Sequence, residues 1–307
     1  MNALHFLAST LAAPLLRSPA ATTPRAAPPA APAAPQAQPG DEHPPGHVTL
    51  AGAGPGDPEL LTVKALRAIQ GADVVLHDQL VSPEILALIP STAQRIDVGK
   101  TCGHHRYSQG AIIELMLSLA RQGRRVLRLK GGDPNIFGRG GEEAQALAAA
   151  GIPFDFIPGI SAAQAAASCA GIPLTHRDHA RAVVYATAHM REDGKAAQAG
   201  EDGEPDWASL ARPAQTVVLY MGVNRLERVC ARLREHGLAA DTPAAVVERA
   251  SRPGQRTVCG TLQTLPALAA EARVQGPALI IVGSVVTLAE VLAPAARQPA
   301  TARSAAT

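Results

Sequence analysis

With 307 residues, 47% of them apolar, the chain can bury one or two hydrophobic cores. A net charge of +2 points to no particular partner, but an aromatic content of 3% argues against a surface on which nucleic-acid bases stack. No apolar run approaches the length needed to span a membrane. The four cysteines (Cys102, Cys169, Cys230 and Cys259) form no CxxC, which fits reduced thiols in a cytoplasmic protein rather than a disulfide framework.

Residues 1–46 are rich in Ala and Pro and carry no acid before Asp41, so a disordered leader is expected there. No Lys or Arg precedes the apolar patch at its start, which argues against a secretory signal. Arg17 and Arg25 among Ser, Thr and Ala suit a transit peptide; the bias of a GC-rich bacterial genome gives the same composition and is the preferred reading. From Val48 the pattern predicts strands at 48–50, 73–77, 95–98, 126–129 and 154–157. Helices are expected from about Glu59, from Pro83, and over 108–122, 142–150 and 161–170. This alternation implies a mostly parallel sheet covered by helices on both faces. Residues 190–205 read as an exposed charged loop. A second series predicts strands at 183–187, 216–220, 244–248, 256–259 and 278–282, and a helix over 225–236 with Leu226, Val229 and Leu233 at core spacing. The expected organisation is a leader (1–46), two α/β domains (47–178 and 179–294) and a disordered tail (295–307).

The stretch 128–143, RLKGGDPNIFGRGGEE, is a strand-to-helix crossing far longer than a simple connection needs. Its glycines let the backbone approach a ligand closely, so it reads as a ligand-cradling loop. The earlier loop Gly52-Ala53-Gly54-Pro55-Gly56-Asp57 is no dinucleotide fingerprint: Asp57 stands where the third glycine belongs, and Pro55 removes an amide donor. The Gly-Lys-Ser/Thr of a P-loop is missing as well. The loop suits a ligand without phosphates, such as S-adenosylmethionine, or else it is a plain tight turn.

Six further motifs follow in order: His77-Asp78-x-Leu80-Val81, Val98-Gly99-Lys100, Pro158-Gly159-Ile160-Ser161-Ala162, Gly171-Ile172-Pro173-Leu174-Thr175-His176-Arg177, Tyr220-Met221-Gly222 and Pro277-Ala278-Leu279-Ile280-Ile281-Val282-Gly283. With the two glycine loops, they make residues 48–292 resemble the uroporphyrinogen-III C-methyltransferases of the tetrapyrrole methylase family. The resemblance implies two α/β domains with the active site in the cleft between them, and a homodimer. It implies methyl transfer from S-adenosylmethionine, without a metal, to C2 and C7 of uroporphyrinogen III, giving precorrin-2 for sirohaem or cobalamin synthesis. In fused sirohaem synthases a dehydrogenase and chelatase module precedes this domain; 46 residues are too few for one, so a stand-alone methylase is expected.

By the same resemblance Asp78 is the base or orienting carboxylate and Lys100 its acid partner. Asp78 also closes an apolar strand, where α/β proteins present ligand-facing groups. Donor contacts are implied at Pro55, Gly131, Gly132, Asp133, Ile136, Ser161, Ala162, Met221, Ala250 and Ala278, with Asp133 holding the donor's ammonium or ribose hydroxyls. Macrocycle contacts are implied at Leu80 and Phe137, and at Arg139 and Arg177 as guanidinium forks for a polycarboxylate; Arg106 and Arg181 are weaker candidates. Thr101 replaces a customary Arg and Ala250 a customary Gly. His104-His105 lacks a third ligand at recognisable spacing and reads as a polar turn rather than a metal site. Two alternatives stay open. A related methylase would act on a later precorrin or on ribosomal RNA, the latter needing a basic patch and more aromatics. A tetrapyrrole-binding protein without turnover would retain the macrocycle and bind the donor weakly.

Overall fold

A computed structural model describes residues 46–99, 107–188 and 204–293. The expectations for the leader, the tail, the 190–203 loop, Lys100, Thr101, Cys102, His104-His105 and Arg106 lie outside the described residues. The described residues all belong to one compact unit.

Five strands, β1 (Val48–Gly52), β2 (Val74–His77), β3 (Gln94–Asp97), β4 (Val126–Lys130) and β5 (Phe154–Ile157), form a sheet of order β3-β2-β4-β1-β5. Every pairing in it is parallel, so a covering helix follows each of the first four strands. These are α1 (Val63–Gly71), α2 (Pro83–Leu86), α3 (Gln109–Arg121) and α4 (Gly140–Ala149). The pleat divides β4 between two cores: Leu127 and Leu129 pack with Ile69 and Ile85 of α1 and α2, while Val126 packs with Met116 and Leu147 of α3 and α4. Thr62, Ser82 and Ser108 cap the starts of α1, α2 and α3 with their hydroxyls.

Helix α5 (Ala162–Ala170) follows β5 but leaves the first sheet. A capping box between Ser161 and Gln164 starts it, and Gly171 in left-handed conformation ends it. Its alanines Ala163, Ala166 and Ala170 pack on the second sheet, together with Val247, Leu279 and Ile281. Small side chains there let helix and sheet approach closely.

The second sheet holds β6 (Ala182–Thr187), β7 (Gln215–Tyr220), β8 (Pro243–Glu248), β9 (Arg256–Thr261) and β10 (Ala278–Val282) in the order β6-β7-β10-β8-β9. Here only β6 and β7 are parallel; the other three pairings are antiparallel. The seven-residue connection between β8 and β9 is too short for a parallel crossover, which dictates a hairpin. Helices α6 (Trp207–Leu210), α7 (Leu226–Glu235) and α8 (Leu265–Glu271) cover the face away from α5, and α9 (Ala289–Leu292) lies beside α5. Among the described residues no helix is long and apolar enough to cross a membrane.

Candidate functional site

The site forms where the carboxyl ends of β1, β2, β4 and β5 meet the ends of β7 and β8. Three backbones converge at Gly52, Gly132 and Gly159. A Cβ on Gly159 would stand 2.3 Å from the Gly132 carbonyl oxygen, and one on Gly52 would stand 2.5 Å from it. Gly54 and Gly132 exchange N–H···O bonds of 3.1 and 2.7 Å, locking the Pro55 loop to the long glycine loop. Gly132 has φ +70°, a conformation that costs a residue with a Cβ. The result is a cradle walled by main chain.

The carboxylate of Asp133 accepts the Asn135 amide at 2.8 Å and the Gly159 amide at 3.0 Å. Those bonds tie β5 to the cradle, so its first service is to shape the loop. Ser161 is likewise occupied as a helix cap, its hydroxyl accepting the Gln164 amide at 3.2 Å. Ile136, Ala162 and Ala250 pack against one apolar cluster beneath the cradle. Phe137 lies on Tyr220 with ring centroids 4.7 Å apart, and the Tyr220 hydroxyl accepts the Ala163 amide at 3.1 Å. Burial raises the Tyr220 phenol above its ordinary value, so it is a neutral group. Leu80, Phe137 and Met221 are exposed apolar side chains, and Leu80 Cβ would stand 3.0 Å from a Cβ at Gly131. Phe137, Arg139, Met221, Arg249 and Ser251 all have φ between 51° and 66°. Such conformations each cost on the order of 1 kcal/mol and collect where loops are shaped for a ligand.

Under the cradle lies a buried charge cluster that sequence reasoning missed. On β4, Arg128 and Lys130 share the Val126 side and point towards α3 and α4. Glu143 of α4 is fully buried, and its Oε1 accepts Arg128 Nε and Lys130 Nζ at 3.0 Å each and Gln109 Nε2 at 3.1 Å. Arg128 is 2% exposed, and its Nη2 donates to Asp78 Oδ1 at 2.5 Å; Lys130 Nζ stands 3.9 Å from Asp78 Oδ2. Two carboxylates thus balance two cations. Burial, reinforced by Arg128, lowers the Lys130 ammonium below the ordinary lysine value. Asp78 and Glu143 outweigh burial at Arg128 and raise its guanidinium. Asp78, with its side chain 29% exposed, is the one member that reaches towards the cleft. A hydrogen bond from its amide to the Leu129 carbonyl (3.2 Å) fixes its backbone. Gly99, the last described residue before Lys100, abuts Gln79 beside Asp78: a Cβ on it would stand 2.5 Å from the Gln79 nitrogen.

Other expected contacts sit less directly. Arg139 is engaged by Glu142 through bonds of 2.8 and 2.7 Å. Arg177 is exposed in the turn bridged by His176 and Ala180. Ala278 pairs with Glu248, but alternation along β10 turns its side chain to the α7 and α8 face, whereas Leu279 and Ile281 face α5. Among the described residues no three His, Cys, Asp or Glu are grouped to hold a metal ion.

The sequence profile described as Tetrapyrrole (Corrin/Porphyrin) Methylases matches residues 47–266. The chain belongs to the tetrapyrrole methylases. It is accordingly an enzyme of methyltransferase type, in a family whose description names tetrapyrroles of corrin and porphyrin type. The chain is 54% identical over 247 residues to a siroheme synthase of Chromobacterium violaceum, an alignment covering 80% of this chain and 51% of that one. It thus spans about half the length of the curated relatives it matches. A crystal structure of uroporphyrin-III C-methyltransferase from Thermus thermophilus, complexed with S-adenyl homocysteine, is 40% identical. It superposes with a TM-score of 0.66, covering 79% of this chain and 100% of that one. A cobalt precorrin-4 methyltransferase of cobalamin biosynthesis is 29% identical, with a TM-score of 0.68 over 78% of this chain and 95% of that one. Overall shape therefore places this tetrapyrrole methylase in its family without separating the substrates within it; loop residues must do that.

Proposed function

We propose that the chain methylates uroporphyrinogen III at C2 and C7 with S-adenosylmethionine, giving precorrin-2, and does so as a homodimer. The observation that carries this reading is the pairing of the main-chain cradle at Gly52, Gly132 and Gly159 with Asp78, held at the cleft edge by Arg128. The cradle fits the donor: it offers close backbone and apolar packing at Ile136, Ala162 and Ala250. In this reading Pro55, Gly131, Gly132, Asp133, Ile136, Ser161, Ala162, Met221 and Ala250 surround the donor. Ala278 serves through its backbone, since its side chain faces away. Leu80 and Phe137 meet the macrocycle, and Arg139 and Arg177 meet its carboxylates, Arg139 by exchanging Glu142 for the substrate.

S-adenosylmethionine supplies a methyl group already activated on a sulfonium. The chain aligns the pyrrole β-carbon with that methyl within contact distance. As the methyl leaves the sulfonium for the pyrrole carbon and S-adenosylhomocysteine is released, Asp78 accepts the one proton that the cationic macrocycle must lose, with Lys100 as its acid partner. Two buried cations hold and aim the Asp78 carboxylate, so little reorganisation is needed at the moment of transfer.

The test is anaerobic incubation with freshly reduced uroporphyrinogen III and S-adenosylmethionine, followed by mass spectrometry of the macrocycle. Gain of two methyl groups is expected. No gain, with the donor shown to bind, overturns this substrate and moves the assignment to a later precorrin.

A further inference from the structure

Arg252 lies in the strained turn between β8 and β9, outside every motif described above. Its Nε donates to the Pro55 carbonyl at 2.8 Å and its Nη2 to the Leu80 carbonyl. The groove it occupies exists because residue 56 is glycine: a Cβ there would stand 2.2 Å from Arg252 Nε. The turn is held from the other side as well. Arg249 and Ser251 have φ of 51° and 66°, and the Ser251 amide donates to Gln255 Oε1 at 2.8 Å. Gln255 in turn donates to the Cys169 carbonyl at 3.2 Å. The guanidinium is therefore fixed in position and plane.

Its charge is not answered. Arg125, Arg128, Arg139 and Arg232 each sit on a carboxylate, which raises them. Arg252 is shifted the other way: burial lowers it, Arg249 adds to the effect, and Glu84 pulls back. Among the described residues no carboxylate forms an ion pair with it. Carbonyl oxygens orient a guanidinium without neutralising it, and two of its five N–H groups are so used. The three others have no acceptor among the described residues. They sit at the seam between Pro55, on the donor side, and Leu80, on the macrocycle side.

We propose that Arg252 binds a carboxylate of a ligand in the cleft, as a preset fork between donor and macrocycle. The proposal rests on the function proposed above, and the carboxylate belongs either to the donor's amino-acid tail or to the macrocycle. Calorimetry with S-adenosylhomocysteine and with its decarboxylated analogue, and steady-state kinetics with uroporphyrinogen III, distinguish the two on wild type, Arg252→Gln and Arg252→Lys.

If the donor supplies the carboxylate, Arg252→Gln weakens S-adenosylhomocysteine about 10- to 100-fold and leaves the decarboxylated analogue unchanged. If the macrocycle supplies it, KM for uroporphyrinogen III rises by a similar factor while kcat and donor affinity hold. In either case Arg252→Lys, which keeps the charge and loses the fork, recovers part of the loss. The proposal is overturned by equal weakening of both donor analogues, by no change in either ligand, or by a lysine variant no better than glutamine; each would mark a strap that only ties loops together. A wild-type protein that leaves uroporphyrinogen III unmethylated sinks the function reading instead, and the donor arm still decides the role of Arg252.

Discussion

Replacing Glu143 by alanine is the sharpest test of the buried charge cluster. The substitution removes the acceptor that Arg128 and Lys130 share at 3.0 Å and leaves both cations inside the protein with Asp78 alone to answer them. Removing one partner of a buried ion pair costs about 3–5 kcal/mol. For a unit of this size that is roughly 6–20 °C in Tm. The penalty also carries a pH signature. The folded-state value of Lys130 already lies below the ordinary lysine value. Between the two values the unfolded chain holds more protons than the folded one, so stability rises with pH there. Loss of Glu143 lowers the folded value further and widens that window. The gap between wild type and variant should therefore narrow as pH rises towards the wild-type folded value of Lys130, which lies below the ordinary lysine value near 10.4, and stay level above it. Urea unfolding followed by circular dichroism at several pH values measures both quantities. A gap below about 1 kcal/mol, or one that ignores pH, would refute the reasoning. A triple variant, Glu143→Leu with Arg128→Met and Lys130→Leu, should recover most of the stability, because an apolar set of similar volume replaces charges that were costly to bury.

Asp78→Asn should leave S-adenosylhomocysteine affinity within about twofold and cut methyl transfer by roughly 10²- to 10⁴-fold; undiminished turnover removes Asp78 from the proton step. Gly159→Ala drives a methyl into the Gly132 carbonyl, so donor affinity measured by calorimetry should fall at least about tenfold; unchanged affinity would show that the cradle is not the donor site. Glu248 accepts the amides of Gln275 and Gly276 at 2.9 and 2.7 Å and pairs with Arg256; burial opposes its ionisation, but these partners prevail and hold it below the ordinary glutamate value. Its stabilisation is therefore complete above the unfolded value near 4.3 and is lost as pH falls through the lower folded value. Acid titration of wild type against Glu248→Gln should show the difference closing over that range, and a difference constant with pH would contradict the assignment.

Much of the frame was legible along the chain because strand and helix periods are local. Strand β10 runs from Ala278 to Val282 as its apolar run predicts, and Ser161 begins α5 as a capping residue. The direction of the second sheet was not legible in the same way, because apolar runs look alike in parallel and antiparallel pairing. The helix α8 from Leu265 to Glu271 was overlooked, since its short alanine-rich turn lacks a capping side chain. At the site, Asp78 stands where its strand end places it, whereas its partners were hidden. Glu142 and Glu143 are adjacent in sequence and differ only in helical phase; one meets Arg139 in solvent, and the other meets two buried cations. Alternation along β4 was the usable signal, since Arg128 and Lys130 share the parity of buried Val126. Arg252 meets Pro55 from 197 residues away, and no local pattern announces such a contact.

Helix α5 bears on how this architecture can be divided. It is encoded with the first sheet, yet its alanine face rests on β8 and β10. A cut near residue 178 therefore strands that face on the amino-terminal piece and uncovers its seat on the other. Expressed apart, the halves should be sticky; expressed together, they should find each other through this tongue, with the Tyr220 hydroxyl receiving the Ala163 amide as the latch. Exchange of halves between related methylases then depends on the fit of this helix together with the contacts of Phe137 on Tyr220 and of Arg252 on Pro55.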